Sequence, residues 1–171
     1  TIVIYNRFLI YSRSQIAVKH SAEIVKKLLK YMNAECHHTL FEVALSTMSV
    51  LIDDVEDVDE FNDQITKACL EALETKHLRL IIHGLDLLTM LIDNSGFNNQ
   101  FLEILITKIT EIISSEDVDE DVLMSSITVL SALIVRTQKD IIPFVQMFLP
   151  IIVQAAQISE QSHPKIKGIA L

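Results

Sequence analysis

The tetrapeptide LIDD at 51–54 returns as LIDN at 91–94, forty residues on. Around it, LFEVALSTMSVL (40–51), LIIHGLDLLTML (80–91) and VLMSSITVLSAL (122–133) align position by position. Leu40 matches Leu80 and Val122; Ala44 matches Gly84 and Ser126; Leu45 matches Leu85 and Ile127. The series continues with Met48, Leu88 and Leu130, then Ser49, Thr89 and Ser131, then Leu51, Leu91 and Leu133. Apolar steps of three, four and seven make a helix stripe. The Ala/Gly/Ser position is small each time, which lets another helix approach closely. A long internal period constrains the fold strongly, because one unit of this size cannot bury its apolar faces alone and must stack on the next.

A second helix falls between the copies of the first. Phe61, Phe101 and Phe144 align; so do Ile65, Leu105 and Phe148, and Cys69, Ile109 and Ile152. The pattern predicts helices at about 1–12, 14–32, 37–54, 58–75, 77–94, 97–115, 119–137, 140–158 and from 163 onward, with no strand. Linkers of two to six residues suit antiparallel neighbours. Half the residues are hydrophobic and Gly and Pro number three each, so the core is large and breakers are few. Two helices every 40 to 43 residues are the mark of a HEAT or armadillo-like solenoid. The expected fold is therefore all-α, a right-handed α-α superhelix of about four helix pairs. It runs as a single solenoid segment over 1–171: a partial repeat at 1–32, pairs at 37–75, 77–115 and 119–158, and the start of a further helix at 163–171. A segment of a longer chain is expected.

The pentapeptide EDVDE occurs twice, at 56–60 and 116–120. Its spacing of 60 is one and a half periods, so the two copies precede helices of opposite type and are expected on opposite edges of the stack. In each copy Asp57 or Asp117 can cap a helix, with Glu60 or Glu120 three residues later, in the manner of a capping box. Capping needs one or two carboxylates. Residues 53–60 hold six (Asp53, Asp54, Glu56, Asp57, Asp59 and Glu60) and residues 116–121 hold five (Glu116, Asp117, Asp119, Glu120 and Asp121), with no base in either run. These eleven acids account for the formal charge of −9. The two loops are accordingly candidate sites for a basic partner segment, against the plainer reading of a solvated helix start. The same charge argues against nucleic acid, whose affinity rests on clustered Lys and Arg.

The segment 119–133, DEDVLMSSITVLSAL, carries the pattern of a HEAT second helix: an acid, an apolar residue, two small residues, then leucines four and seven on. IIPFVQMFLPII (141–152) looks like the Pro-containing first helix that follows, and HPKIKGIAL (163–171) comes after it. The chain resembles HEAT-repeat proteins over about 37–171. Over 119–171 it resembles the importin-beta (karyopherin-beta) family of nuclear transport receptors. HEAT second helices usually carry Arg or Lys just after the first apolar residue; Phe41, Ile81 and Leu123 stand there instead, and only Lys167 keeps the cation. The resemblance implies a non-enzymatic protein-binding surface, a nuclear and cytoplasmic location, and three partners: basic cargo, a Ran-type GTPase and Phe-Gly nucleoporins. The alternative is a HEAT scaffold or regulatory subunit, such as a phosphatase scaffold, a coat adaptor or a microtubule-binding array.

Other constellations imply less. Cys36 and Cys69 are too few for a disulfide framework, and a reduced compartment is the expectation. Cys36-His37-His38 has metal-ligand types without a CxxC or HxxxH partner, so no metal is expected. His83 falls opposite Val43 and Ser125 and reads as a half-buried packing residue. Gly84, Gly96 and Gly168 are solitary, so there is no phosphate loop, and Gly96 in DNSGFN marks a turn. No nucleophile elbow or oxyanion hole is discernible, and no cofactor is expected. The most apolar stretch, 141–156, contains Pro143, Gln146, Pro150 and Gln154; it is short for a membrane span and reads as a buried helix.

Overall fold

The computed structural model describes residues 21–54, 59–94, 96–115, 118–150 and 152–153. Among these residues every regular element is a helix and there is no strand, so the chain is all-α. The α-helices are α1 (Ser21–Leu29), α2 (His38–Asp54), α3 (Asn62–Leu73), α4 (Leu78–Asp93), α5 (Leu102–Ile113) and α6 (Glu120–Thr137). Helix resumes over 145–150. The expected helices at 1–12 and from 163 lie outside the described residues. The helix expected to run to 32 stops at Leu29, where Tyr31 and Met32 turn back to donate to Leu28 and Leu29 carbonyls.

The period seen in the sequence returns as repeated local geometry. Three 3-10 turns, Asp59–Phe61, Asn99–Phe101 and Ile142–Phe144, each end on one of the aligned phenylalanines. Phe61 and Phe101 are buried and sit at the N-caps of α3 and α5 with nearly the same backbone, φ −105° and ψ −5° against φ −92° and ψ −2°. The expected helices at 58–75 and 97–115 therefore begin as 3-10 turns and become α-helical only past the Phe. Pro143 lies in the third turn, where the amide hydrogen it lacks would have had no helical acceptor.

The other helix type repeats as closely. Ala44 and Ser126 are wholly buried, and Gly84 is buried with them. The aligned hydroxyls all bond back four residues: Ser49 Oγ donates to Leu45 O at 3.2 Å, Thr89 Oγ1 to Leu85 O at 3.1 Å, and Ser131 Oγ to Ile127 O at 2.9 Å. Each satisfies its own hydroxyl within the helix, so these positions require nothing of a neighbour. Leu45, Met48 and Leu51, with their counterparts in α4 and α6, are all buried. Leu40 departs from the stripe: it is 43% exposed, and the next residue, Phe41, is buried in its stead.

The described residues form two compact units, one up to Phe97 and one from Asn98 on. In the first unit α1 packs on α2 and α3, and α4 packs on α2 and α3, which makes a two-by-two array. The tightest hairpin is α3–α4, closed by the short turn at 74–77. Its approach distance is set at Gly84. A Cβ there would lie 3.2 Å from Ala72 Cβ and 3.3 Å from the Cys69 carbonyl oxygen, so a larger residue must push two helices apart. At the end of α4 the Gly96 amide donates to Leu91 O at 2.8 Å. A Cβ there would fall 2.6 Å from Asn62 Nδ2, so any larger residue would have to displace the Asn62 side chain. The turn before α2 is tied to α3 by the Ala34 amide, which donates to Glu71 Oε2 at 3.1 Å.

In the second unit α5 packs on α6. Asn99 Nδ2 donates to Asp140 Oδ2 at 2.7 Å, joining the turn before α5 to the turn after α6. That latter turn holds Gln138 at φ 44° and ψ −98°, near the first central position of a type II′ turn, and the Asp140 amide donates to Thr137 O across it. The stretch from 141 corrects the expectation of a buried helix. Ile141 and Phe148 are buried, but Ile142 is 63% exposed, and Met147, Leu149 and Val153 are exposed as well. The helix after the third 3-10 turn buries one face and shows an apolar second face.

Candidate interaction surface

The second acidic run is built around the start of α6. Asp119 has extended backbone, φ −67° and ψ 143°, and is the N-cap of that helix. Its Oδ1 accepts from the Asp121 amide at 2.9 Å, while its carbonyl accepts from the Leu123 amide at 2.9 Å. The cap expected at Asp117 is thus corrected to Asp119. Glu120 becomes the first helical residue, and the third, where a capping box needs Glu or Gln, is Val122, so no capping box forms. The physical reason is that a carboxylate reaches the first-turn amides from extended backbone directly before the first helical residue, and the stripe that buries Val122 fixes that residue as Glu120. Glu120 and Asp121 are exposed in the first turn, at the positive end of the helix. Glu116 and Asp117 lie outside the described residues.

The first acidic run is placed differently. Asp53 and Asp54 are the last two residues of α2, a helix with no basic residue in its last turn. They stand at the negative end of the macrodipole, where a carboxylate is unfavourable. Asp59 opens the 3-10 turn and Glu60 is exposed within it. Glu56 and Asp57 lie outside the described residues, so the capping role expected of Asp57 does too. The α3 helix itself starts at Asn62 with Phe61 as N-cap and no side-chain cap bond.

The capping chemistry recurs at residues that sequence reading passed over. Asn98 Oδ1 accepts from the Gln100 amide at 3.1 Å at the 3-10 turn before α5, and His37 Nδ1 accepts from the Thr39 amide at 3.3 Å at the start of α2. Both repeat the two-residue closure seen at Asp119. His77 is the N-cap of α4, without a side-chain cap bond. His37, His77 and Asp119 thus occupy equivalent places at the starts of α2, α4 and α6.

Three imidazoles of the first unit meet on its surface. His37 and His38 stack with ring centroids 4.2 Å apart, and His38 stacks on His77 at 4.4 Å. Below them Glu42 Oε1 lies 3.4 Å from Arg79 Nη1 and 4.0 Å from His83 Nε2. His83 is half-buried, as its place in the stripe implies. Cys36 Sγ is 3.6 Å from Lys30 O. Among the described residues no group of three or more His, Cys, Asp or Glu is disposed to hold a metal ion. Cys69 is wholly buried, and burial pushes its thiol far above the usual range, so it stays a neutral packing group. No helix among the described residues is long and apolar enough to cross a membrane.

No family model, curated protein or solved structure matches this chain.

Proposed function

We propose that this chain is a section of a HEAT-type helical solenoid that binds other proteins, and that it serves in a nuclear transport receptor of the importin-beta type. The observation that carries the reading is recurrence. Three first-type helices are each preceded by a 3-10 turn ending on an aligned Phe, and three second-type helices share a small buried residue and a back-bonded hydroxyl. Repetition at this level, including hydrogen bonds that no neighbour requires, suits units that stack in one dimension and present long surfaces to partners. The fold drawn from this is the right-handed superhelix, and the work is binding, with no chemistry performed.

The basic partner, cargo in this reading, is held at 53–60. Asp53 and Asp54 end α2 at the negative end of its dipole, and four more carboxylates come before residue 61 in the sequence, so the field draws cationic segments. Phe-Gly segments and a GTP-bound Ran-type GTPase are the other two partners, and the protein moves between cytoplasm and nucleus.

Direct titration tests the reading. The chain, extended by its flanking repeats, is titrated with a Phe-Gly repeat peptide, with a Lys/Arg-rich peptide, and with a Ran-type GTPase loaded with GTP or GDP. Binding of the GTP form but not the GDP form, with release of the basic peptide, is expected. Binding of the basic peptide with indifference to the GTPase would leave a scaffold and remove the transport receptor. Absence of all three interactions would remove both.

A further inference from the structure

We propose that Ser114 is a phosphorylation site, the acceptor of an acid-directed serine kinase, and that its phosphate gives the second acidic run the charge layout of the first. The residues ahead of the two copies of EDVDE differ in one telling way. Asp54-Val55 precedes the first copy and Ser114-Ser115 the second. With the pentapeptides superposed, Ser114 takes the place of Asp54. One run holds a permanent carboxylate there; the other holds a hydroxyl to which a kinase adds charge. The first run has no such acceptor, since residues 50–63 contain no Ser, Thr or Tyr.

Geometry selects between the two serines. Both are exposed, in the linker between α5 and α6. Ser115 Oγ donates to Ile112 O at 2.8 Å, so its hydroxyl is engaged with the helix it follows. Ser114 is the C-cap of α5 and its amide donates to Thr110 O at 3.0 Å, but its Oγ makes no hydrogen bond among the described residues. The acids favour the same residue. Glu116 and Asp117 stand two and three places after Ser114, and Asp119 and Glu120 five and six places after it. Counted from Ser115, the third place is Val118. Between Lys108 and Arg136 there is no Lys, Arg or His. Kinases choose acceptors by charge complementarity along the segment, so a groove lined with Lys and Arg takes this serine and a groove built for basic segments repels it.

The step is transfer of the γ-phosphoryl group of ATP. Ser114 Oγ attacks the γ-phosphorus, the new O–P bond forms as the bond to the β–γ bridging oxygen breaks, ADP leaves, and the hydroxyl proton passes to the kinase's base. Nothing is oxidised or reduced. The phosphoserine carries a charge of about −2 at neutral pH. It stands at the negative end of α5, a helix with no basic residue in its last turn, as Asp54 stands at the negative end of α2. The helix gains nothing from a phosphate so placed, and the field outside it grows. A run that otherwise serves the start of α6 then draws basic segments. This consequence rests on the reading of the first run as the site of a basic partner; the modification itself does not.

The test incubates the chain with Mg-ATP and an acid-directed serine kinase and maps the product by mass spectrometry. One phosphate, on Ser114, is expected. Ser114→Ala should abolish incorporation in this linker and Ser115→Ala should leave most of it. Changing Glu116 and Asp117 to Gln and Asn should slow incorporation about tenfold or more, because the attraction that brings the segment into a basic groove is lost. Phosphate on Ser115 in place of Ser114, on neither serine, or at a rate indifferent to Glu116 and Asp117 would overturn the site. The phosphorylated chain is then titrated with the Lys/Arg-rich peptide in the Asp53→Asn, Asp54→Asn, Glu56→Gln background, where the first run is weakened. Binding about fivefold tighter than without phosphate is expected at low salt. Unchanged affinity would overturn the matched charge layout. A peptide that ignores the first run in the unchanged chain would instead remove the reading of that run, and the mapped phosphate would still decide the site.

Discussion

The two copies of EDVDE are identical in sequence and differ in what the helices beside them do to their charge. At 116–120 the run leads into the N-terminus of α6: Asp119 caps it, and Glu120 and Asp121 lie in its first turn. The positive end of the dipole offsets part of their charge, and the cap consumes one carboxylate. At 56–60 the run follows the C-terminus of α2, where Asp53 and Asp54 already oppose the dipole, and it leads into a 3-10 turn and a helix whose N-cap, Phe61, makes no side-chain bond. Beside the second copy the described acids stand at a helix start, where the fold uses them. Beside the first, Asp53 and Asp54 stand at a helix end, where the fold gains least. A count of acids cannot distinguish the two; the polarity of the adjoining helix can.

The largest consequence concerns binding. Changing Asp53, Asp54 and Glu56 to Asn, Asn and Gln should weaken a Lys/Arg-rich peptide about tenfold or more at low salt, on the order of 1.4 kcal/mol. The effect should fade as salt shortens the range of the field. Changing Glu116, Glu120 and Asp121 to Gln, Gln and Asn should weaken the same peptide far less. Fluorescence titration over a salt series measures both, and equal losses would break the comparison.

Stability should run the other way. Asp119→Ala removes the cap of α6 and should cost about 0.5–2 kcal/mol in denaturant unfolding. Asp119→Asn keeps an accepting oxygen and should recover most of that loss. A neutral outcome for Asp119→Ala would mean that the helix start is held by packing of Val122 alone.

A smaller gain is expected at the other run. Asp53→Asn and Asp54→Asn each relieve a carboxylate at the negative end of α2 and should stabilise the chain by roughly 0.3–1 kcal/mol at low ionic strength. Loss of peptide binding in the triple variant could then not be assigned to unfolding. If either change destabilises, the carboxylate has a partner in the fold and the run is structural after all.

Much of this was readable from residues alone. The stripe through Leu45, Met48 and Leu51 and the small position at Ala44, Gly84 and Ser126 follow from a period that burial enforces, and each took its expected place; of the aligned Phe, Phe61 and Phe101 are buried and Phe144 is half-buried. Cap register was less legible. Either of the two Asp in EDVDE satisfies the residue preference, and the choice depends on which backbone is extended when Val122 is buried. The imidazole stack was not legible. His38 and His77 are 39 positions apart, and reading Cys36-His37-His38 as a local cluster looked along the chain, whereas the partner lies across it. Leu40 was misjudged because the stripe allows either of two adjacent residues at the first turn, and Phe41, the larger, is buried.

The smallest effect sharpens the comparison most. Asp117 was the cap by the spacing to Glu120, and it stands two residues ahead of the cap that the structure assigns. An acid before an N-cap has no helical amide to accept from and gains only the outer reach of the dipole, which falls off within the first turn. Asp117→Ala should therefore change stability by no more than about 0.5 kcal/mol, the range of ordinary surface substitutions. The measurement is a denaturant midpoint taken beside Asp119→Ala in the same series. If Asp117→Ala costs as much as Asp119→Ala, the helix start is shared between the two registers in solution, and the second copy of the pentapeptide is then a helix start with a spare cap. If Asp117 is silent and Asp119 is not, one carboxylate of the five does the capping, and the fold makes no such use of Asp117.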